Sequence, residues 1–270
     1  MSASSKIIQA AAGNVADGAV EPVGIDFDGT NDYLTKFFGS GAFGSGSKTV
    51  TFSAWFYWSG DSSQTIFSYS TFSIQCNQPA GNLLTMSGFS NSYGTILGYQ
   101  TSAALAKDTW NHVLISFDLS NASNRYVYIN DVSVSGTYTS YSNTAIGFDV
   151  AGTATISSAS ASASFEGRLA GVYLDYTYRD LSVEANRRDF IDADGLYVTP
   201  PTSGIISFPM DDPADPGRND GTGGDFSLNG VVAQSGRGPN QYNAAASTFD
   251  GSADYLSRSS LTGASNTKQG

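Results

Sequence analysis

Thr51-Phe52-Ser53-Ala54-Trp55-Phe56-Tyr57-Trp58 carries apolar side chains on both of its alternating sets. Successive side chains of a strand point to opposite faces, so such a run is a strand covered on both sides or bent by a bulge, and it belongs in the middle of a sheet. From Ile25 onward, short β-rich runs alternate with Gly, Ser, Asn and Asp punctuation, the pattern of a sandwich or barrel. The clearest strands are 50–58, 65–70, 113–117, 125–129, 145–150 and 169–178. In Arg125-Tyr126-Val127-Tyr128-Ile129 the two tyrosines share one face and Val127 and Ile129 the other. Asn130-Asp131 then supplies a tight reversal into Val132-Ser133-Val134. One stretch, 183–190, reads as a helix, with Ser182 placed to cap it, Glu184 near its positive end, and Arg187 and Arg188 near its negative end.

The 270 residues carry 13 Lys and Arg against 24 Asp and Glu, a net charge of −11. This balance argues against nucleic acid as a partner, because phosphate binding needs a clustered cationic surface. Charged residues make up 14% of the chain, below the roughly 25% usual for soluble domains, so the expected surface is polar but mostly uncharged. The lone cysteine, Cys76, excludes an internal disulfide, and the lone histidine, His112, excludes a His-rich metal cluster. The apolar stretch near Met1 is broken at Gln9 and makes a poor secretory signal, and no apolar run approaches a membrane span.

Residues 1–22 are small and polar and read as an N-terminal arm, followed by a domain over 23–200. Beyond Pro200-Pro201, further prolines and the run 217–224 break the strand pattern into an acidic loop carrying Asp211, Asp212, Asp215, Asp220 and Asp225. Phe27-Asp-Gly-Thr-Asn-Asp32-Tyr-Leu34 recurs as Phe249-Asp-Gly-Ser-Ala-Asp254-Tyr-Leu256. Either one hairpin type is used twice, or 201–270 holds the loop and the start of a second, incomplete module; the second reading is preferred.

Four segments in order resemble the laminin-G-like, concanavalin A-like lectin/glucanase superfamily over about residues 23–195. They are Phe27-Asp28-Gly29 with Asp32-Tyr33-Leu34; Thr51–Trp55 of the opening strand; Trp110-Asn111-His112-Val113 through Phe117-Asp118 to 126–131; and Gly167-Arg168-Leu169-Ala170 with Val172-Tyr173 and the downstream 180–184. The resemblance implies an all-β, two-sheet antiparallel jelly-roll sandwich with one short helix. The low charge, the arm and the restarting motif also look like structural proteins of tailed bacteriophages, such as head decorations, fibres or tail appendages. That second resemblance implies a virion-surface or extracellular location, with other virion proteins and copies of the same chain as partners.

Glucanases of the superfamily use two close glutamates, because retaining hydrolysis sets carboxyl groups about 5–5.5 Å apart. Here Glu21, Glu166 and Glu184 are isolated in sequence, which disfavours a glycoside hydrolase. His112 reads as a packed strand residue and Cys76 as a small buried hydrophobe. Gly39-Ser-Gly41-Ala-Phe-Gly44 spells a dinucleotide fingerprint without its strand and helix, and so reads as a loop. The expected cofactor is none, with calcium the one metal entertained: Asp28, Asn31 and Asp32 form one candidate ligand set, and Asp211, Asp212 and Asp215 another. Asp and Asn at turns also satisfy their own backbone. For glycan binding, Tyr93, Tyr138 and Tyr141 in loop-like stretches are the candidates, while Trp55 and Trp58 read as core. The leading expectation is a non-enzymatic structural and adhesive protein; the alternative is a carbohydrate-binding module recognising cell-surface or extracellular glycans.

Overall fold

The computed structural model describes residues 24–78, 81–158, 160, 162–212, 214–234 and 238–240. The first sheet runs, with strands numbered in chain order, as β10 (Val132–Ser133), β9 (Arg125–Ile129), β8 (Trp110–Asp118), β3 (Thr49–Trp58), β13 (Glu166–Asp175), β1 (Ile25–Asp28) and β16 (Ala233–Gln234), with β14 (Ile206–Phe208) also against β13. The second runs as β11 (Gly136–Tyr141), β7 (Thr95–Thr101), β6 (Leu83–Phe89), β5 (Phe72–Gln78), β4 (Gln64–Tyr69), β12 (Gly152–Ser157), β2 (Tyr33–Phe38) and β15 (Ser227–Asn229). Every pairing of these strands is antiparallel. This is the expected two-sheet jelly-roll sandwich with one short helix.

β3 lies in the middle of its sheet, between β8 and β13, as its doubled apolar pattern requires. Phe52, Ala54, Phe56 and Trp58 point into the main core between the sheets. Trp55 points the other way and joins Ala170, Ile191, Trp110 and Tyr197 in a separate outer cluster. Each fully buried large apolar side chain contributes on the order of 1.5–3 kcal/mol, so both faces of this strand hold the fold together. The bulge falls on the partner: register shifts between Ala170 and Tyr173, where Gly171 sits at φ +56° and a Cβ would come within 2.6 Å of the Tyr197 ring.

The 125–134 hairpin forms as read. Asn130 (φ 51°) and Asp131 (φ 62°) make the left-handed two-residue turn that matches strand twist. Val127 and Ile129 face the main core, while Tyr126 and Tyr128 pack outside with Leu114, Tyr173, Leu181 and Phe190. That outer cluster is closed by the segment 178–200. Asp131 accepts from Arg187 Nε at 2.5 Å and Arg188 Nη2 at 2.7 Å, and Arg187 lies 4.8 Å over the Tyr128 ring.

Two sequence expectations need correction. The helix is a single turn, α1 (Glu184–Arg187), capped at Val183 without a side-chain bond, because the Ser182 hydroxyl and amide are both taken by Asp180 Oδ1. Residues 145–150 form no strand: Ile146 makes one bridge to Ser47, and Gly147 and Phe148 turn away, since the apolar alternation of Ile146 and Phe148 serves burial in the core rather than a ladder. Residues past the expected boundary at 200 pair into both sheets, β14 on β13, β15 on β2 and β16 on β1. Residues 1–22 and the second motif copy, 249–256, lie outside the described residues.

Candidate functional site

The two sheets present different outer faces. The first is covered by 178–200; the second shows the alternation of a half-covered sheet, with β6 exchanging buried and half-exposed residues at every step. On this second outer face the register aligns Ser227, Thr35, Thr155, Ser68, Ser73, Ser87, Gly98 and Ser140, one residue from each of the eight strands. With strands about 4.8 Å apart, the row is roughly 34 Å long. The adjacent row is Thr65, Gln75, Thr85, Gln100 and Thr137. No ionisable side chain stands in either row.

Hydroxyls and amides both donate and accept hydrogen bonds, and none here carries a charge to be desolvated. Ser68 and Thr155 hydroxyls are 2.6 Å apart, and Gln75 Nε2 donates to Thr65 Oγ1 at 3.4 Å. At Gly98 a side chain would run into Thr139, the residue that bulges from β11. Phe37, 69% exposed and opposite Thr153, adds an aromatic surface beside the hydroxyl row. A protein of net charge −11 has here two adjacent rows with no charged side chain.

The three tyrosines proposed from sequence part company. Tyr93 is 60% exposed in the turn after β6, held at φ 59°. Tyr138 and Tyr141 meet edge to face at 5.3 Å, with Tyr99 at 4.7 Å from Tyr138 and the Arg125 guanidinium 4.5 and 5.2 Å from the two rings. The bulge between Tyr138 and Ser140 turns both inward, and the Tyr141 hydroxyl donates to the Asp118 carbonyl at 2.8 Å. Burial pushes the Tyr141 phenol well above its ordinary range. Their ring faces are therefore engaged within the protein, while that of Tyr93 is open.

The first calcium candidate set is occupied by its own turn. Asp28 Oδ1 accepts the amides of Thr30 and Asn31 at 2.7 and 3.3 Å. Asp32, 2% exposed, accepts the Asp28 amide on one oxygen and the Val231 amide on the other. In the acidic loop, Arg218 binds Asp211 at 2.9 Å and Asp220 at 3.0 Å, and Asp212 accepts the Ala214 amide. Among the described residues no group of three or more His, Cys, Asp or Glu is placed to hold a metal ion. Asp28 stands opposite Glu166 across β1 and β13, but both are exposed, whereas a general acid needs burial to raise its pKa.

His112 is fully buried. Its Nε2 lies 2.8 Å from Ser53 Oγ, its ring stacks on Trp55 at 4.8 Å, and burial lowers its pKa to about 3, the charge of Asp131 working the other way. It is a neutral packing residue. Cys76 is buried on the core face of β5, and burial pushes its thiol up. The 39–44 glycines form a turn before β3 whose Phe43 stacks on Tyr69 at 4.1 Å in the core.

The sequence profile of the concanavalin A-like lectin/glucanases superfamily, laminin G type 3, matches residues 28–177, more than half of the chain. The chain belongs to that superfamily. Among solved structures, a heptameric SAP-like pentraxin from Limulus polyphemus shares the fold at 15% identity and TM-score 0.55, over 80% of this chain and 96% of the pentraxin. A putative carbohydrate binding protein from Bacteroides ovatus aligns at 15% identity and TM-score 0.49, over 77% of this chain and 57% of that one. Mouse laminin α1 domains LG4-5 align at 18% identity and TM-score 0.38, over 59% and 42%. No curated protein matches by sequence. No helix among the described residues is long and apolar enough to cross a membrane.

The hydroxyl row was missed in the sequence, although a signal exists. Phe72-Ser-Ile-Gln-Cys76 and Leu84-Thr-Met-Ser-Gly88 each alternate small polar with apolar residues, which fixes one face as polar and uncharged.

Proposed function

We infer that the chain is a non-enzymatic adhesive module of the lectin-like superfamily whose second sheet presents its outer face to neutral glycan. The observation that carries this reading is the row from Ser227 to Ser140, hydroxyls broken only at Gly98, free of charge and not covered by any of the described residues while the opposite face is packed under 178–200. Such a face recognises hydroxyl-rich chains by many weak hydrogen bonds, each net about 0.5–1.5 kcal/mol, with Phe37 and Tyr93 supplying apolar contact at its margins. The test is a glycan array probed with the full chain at low and high salt. Binding to uncharged glycans that persists at high salt supports the reading, because screening does not touch neutral hydrogen bonds. Binding confined to sulfated or sialylated glycans and lost in salt would overturn it.

The same module serves, in this proposal, as a structural component of a bacteriophage particle: a head decoration, fibre or tail appendage assembled with other virion proteins and copies of itself. The low share of charged residues and the recurrence of the Phe27–Leu34 motif at Phe249–Leu256 support that setting. Immunogold labelling of purified particles decides it, with surface label expected and its absence contradictory.

A further inference from the structure

A cleft of about 570 Å³ opens at the end of the first sheet, away from the hydroxyl row, where the turn before β3, the end of β13 and the segment 203–205 meet Thr222. Its volume lies within the roughly 300–1,000 Å³ of small-molecule sites. Its wall combines Phe43 and Tyr176 with a set of polar groups that the fold packs at some cost. Asp175 is buried at the last position of β13. The Tyr173 hydroxyl donates to its Oδ2 at 2.7 Å, and the Thr177 amide to its Oδ1 at 3.0 Å.

A carboxylate offers about four acceptor sites, and among the described residues only these two are filled by close donors. Arg179 stays 3.9 Å from Asp175, because its guanidinium is drawn to Asp189. Its buried Nε–H has no acceptor among the described residues. Ser203 completes the ring, 3.3 Å from the Tyr173 hydroxyl. A buried ionic network with vacant hydrogen-bonding positions is poor structural cement, since a well-packed apolar cluster of the same volume is commonly as stable.

The geometry points to this cleft as a binding site for a single small neutral saccharide or polyol. The carboxylate of Asp175 accepts from vicinal hydroxyls, and Arg179 donates to a hydroxyl or ring oxygen. A charged ligand is disfavoured, because Asp189 already balances Arg179, and Tyr173 and Thr177 already hold Asp175. The site is independent of the sheet-face reading, and either one can fail alone.

The experiment is saturation-transfer NMR and calorimetry on the full chain with D-glucose, D-galactose, D-mannose, N-acetylglucosamine and glycerol, each tested separately. Thr222→Trp closes the cleft from an exposed position, and Asp175→Asn removes the acceptor charge, with circular dichroism confirming that each variant folds. At least one of these compounds is expected to bind the wild type, and its affinity to fall at least tenfold in both variants while charges placed in the hydroxyl row leave it unchanged. No binding by any of the five, or binding undiminished in Thr222→Trp, would overturn the site.

Discussion

Asp32 Oδ1 accepts the backbone amide of Val231 at 2.8 Å across 199 residues of sequence. Its other oxygen accepts the Asp28 amide, so one buried carboxylate shapes the β1–β2 turn and fastens to it the chain that runs from β15 to β16. Among the described residues, the last strands are in this way tied to the first.

Replacing Asp32 with Ala orphans both amides, and hydrogen bonds to charged groups contribute about 1.5–3 kcal/mol each. Asp32→Ala should therefore lose about 3 kcal/mol in urea unfolding. Asp28→Ala, on the exposed side of the same turn, should lose about 1 kcal/mol, as for a turn or capping contact. Equal losses would show that Asp32 does not fasten β15 and β16.

His112 gives the fold a pH dependence of defined sign. Its pKa is about 3 in the folded chain and 6.5 when unfolded, so the unfolded state binds the proton first. Stability is full above pH 6.5 and declines as pH falls from 6.5 toward 3, by about 1.4 kcal/mol per unit. Between pH 7 and pH 5 urea unfolding should lose about 2 kcal/mol from this residue, a loss that His112→Gln removes. An identical pH profile in the variant contradicts the assignment.

The Asp131 carboxylate holds the segment that covers the first sheet. Although burial opposes it, hydrogen bonds from Arg188 and Arg187 keep its carboxyl below the ordinary value. Asp131→Asn keeps the left-handed turn, which Asn tolerates, but weakens both bonds. Amides of 181–190 should exchange at least fivefold faster, with global stability reduced by about 1 kcal/mol, as for partly exposed pairs. Unchanged exchange would assign the covering segment to apolar packing by Leu181 and Phe190 alone.

Much of the architecture was legible because it rests on local signals. The doubled alternation of Thr51–Trp58 placed β3 at the centre, and Asn130-Asp131 specified the hairpin of β9 and β10. The Ser182 cap was misread because Asp180 captures its hydroxyl, a competition among short polar side chains that composition does not rank. The helix was read too long because the chain tightens past Arg187, where the Phe190 amide donates to the Arg187 carbonyl three residues back. The candidate site was less legible. Tyr138 and Tyr141, three apart, should face opposite ways in a regular strand, and a one-residue bulge turns both inward. The hydroxyl row exists only once eight strands are in register, and register between distant strands is set by packing, not by any single run of sequence.

The most direct test of the account is the glycan affinity of the Ser73→Lys, Ser140→Lys double variant, which puts two charges into the hydroxyl row three strands apart, too far to oppose each other directly, and alters nothing in the core. The account predicts an unchanged melting temperature and at least a tenfold loss of affinity for whichever neutral glycan the wild type binds. Affinity retained in that variant would contradict it.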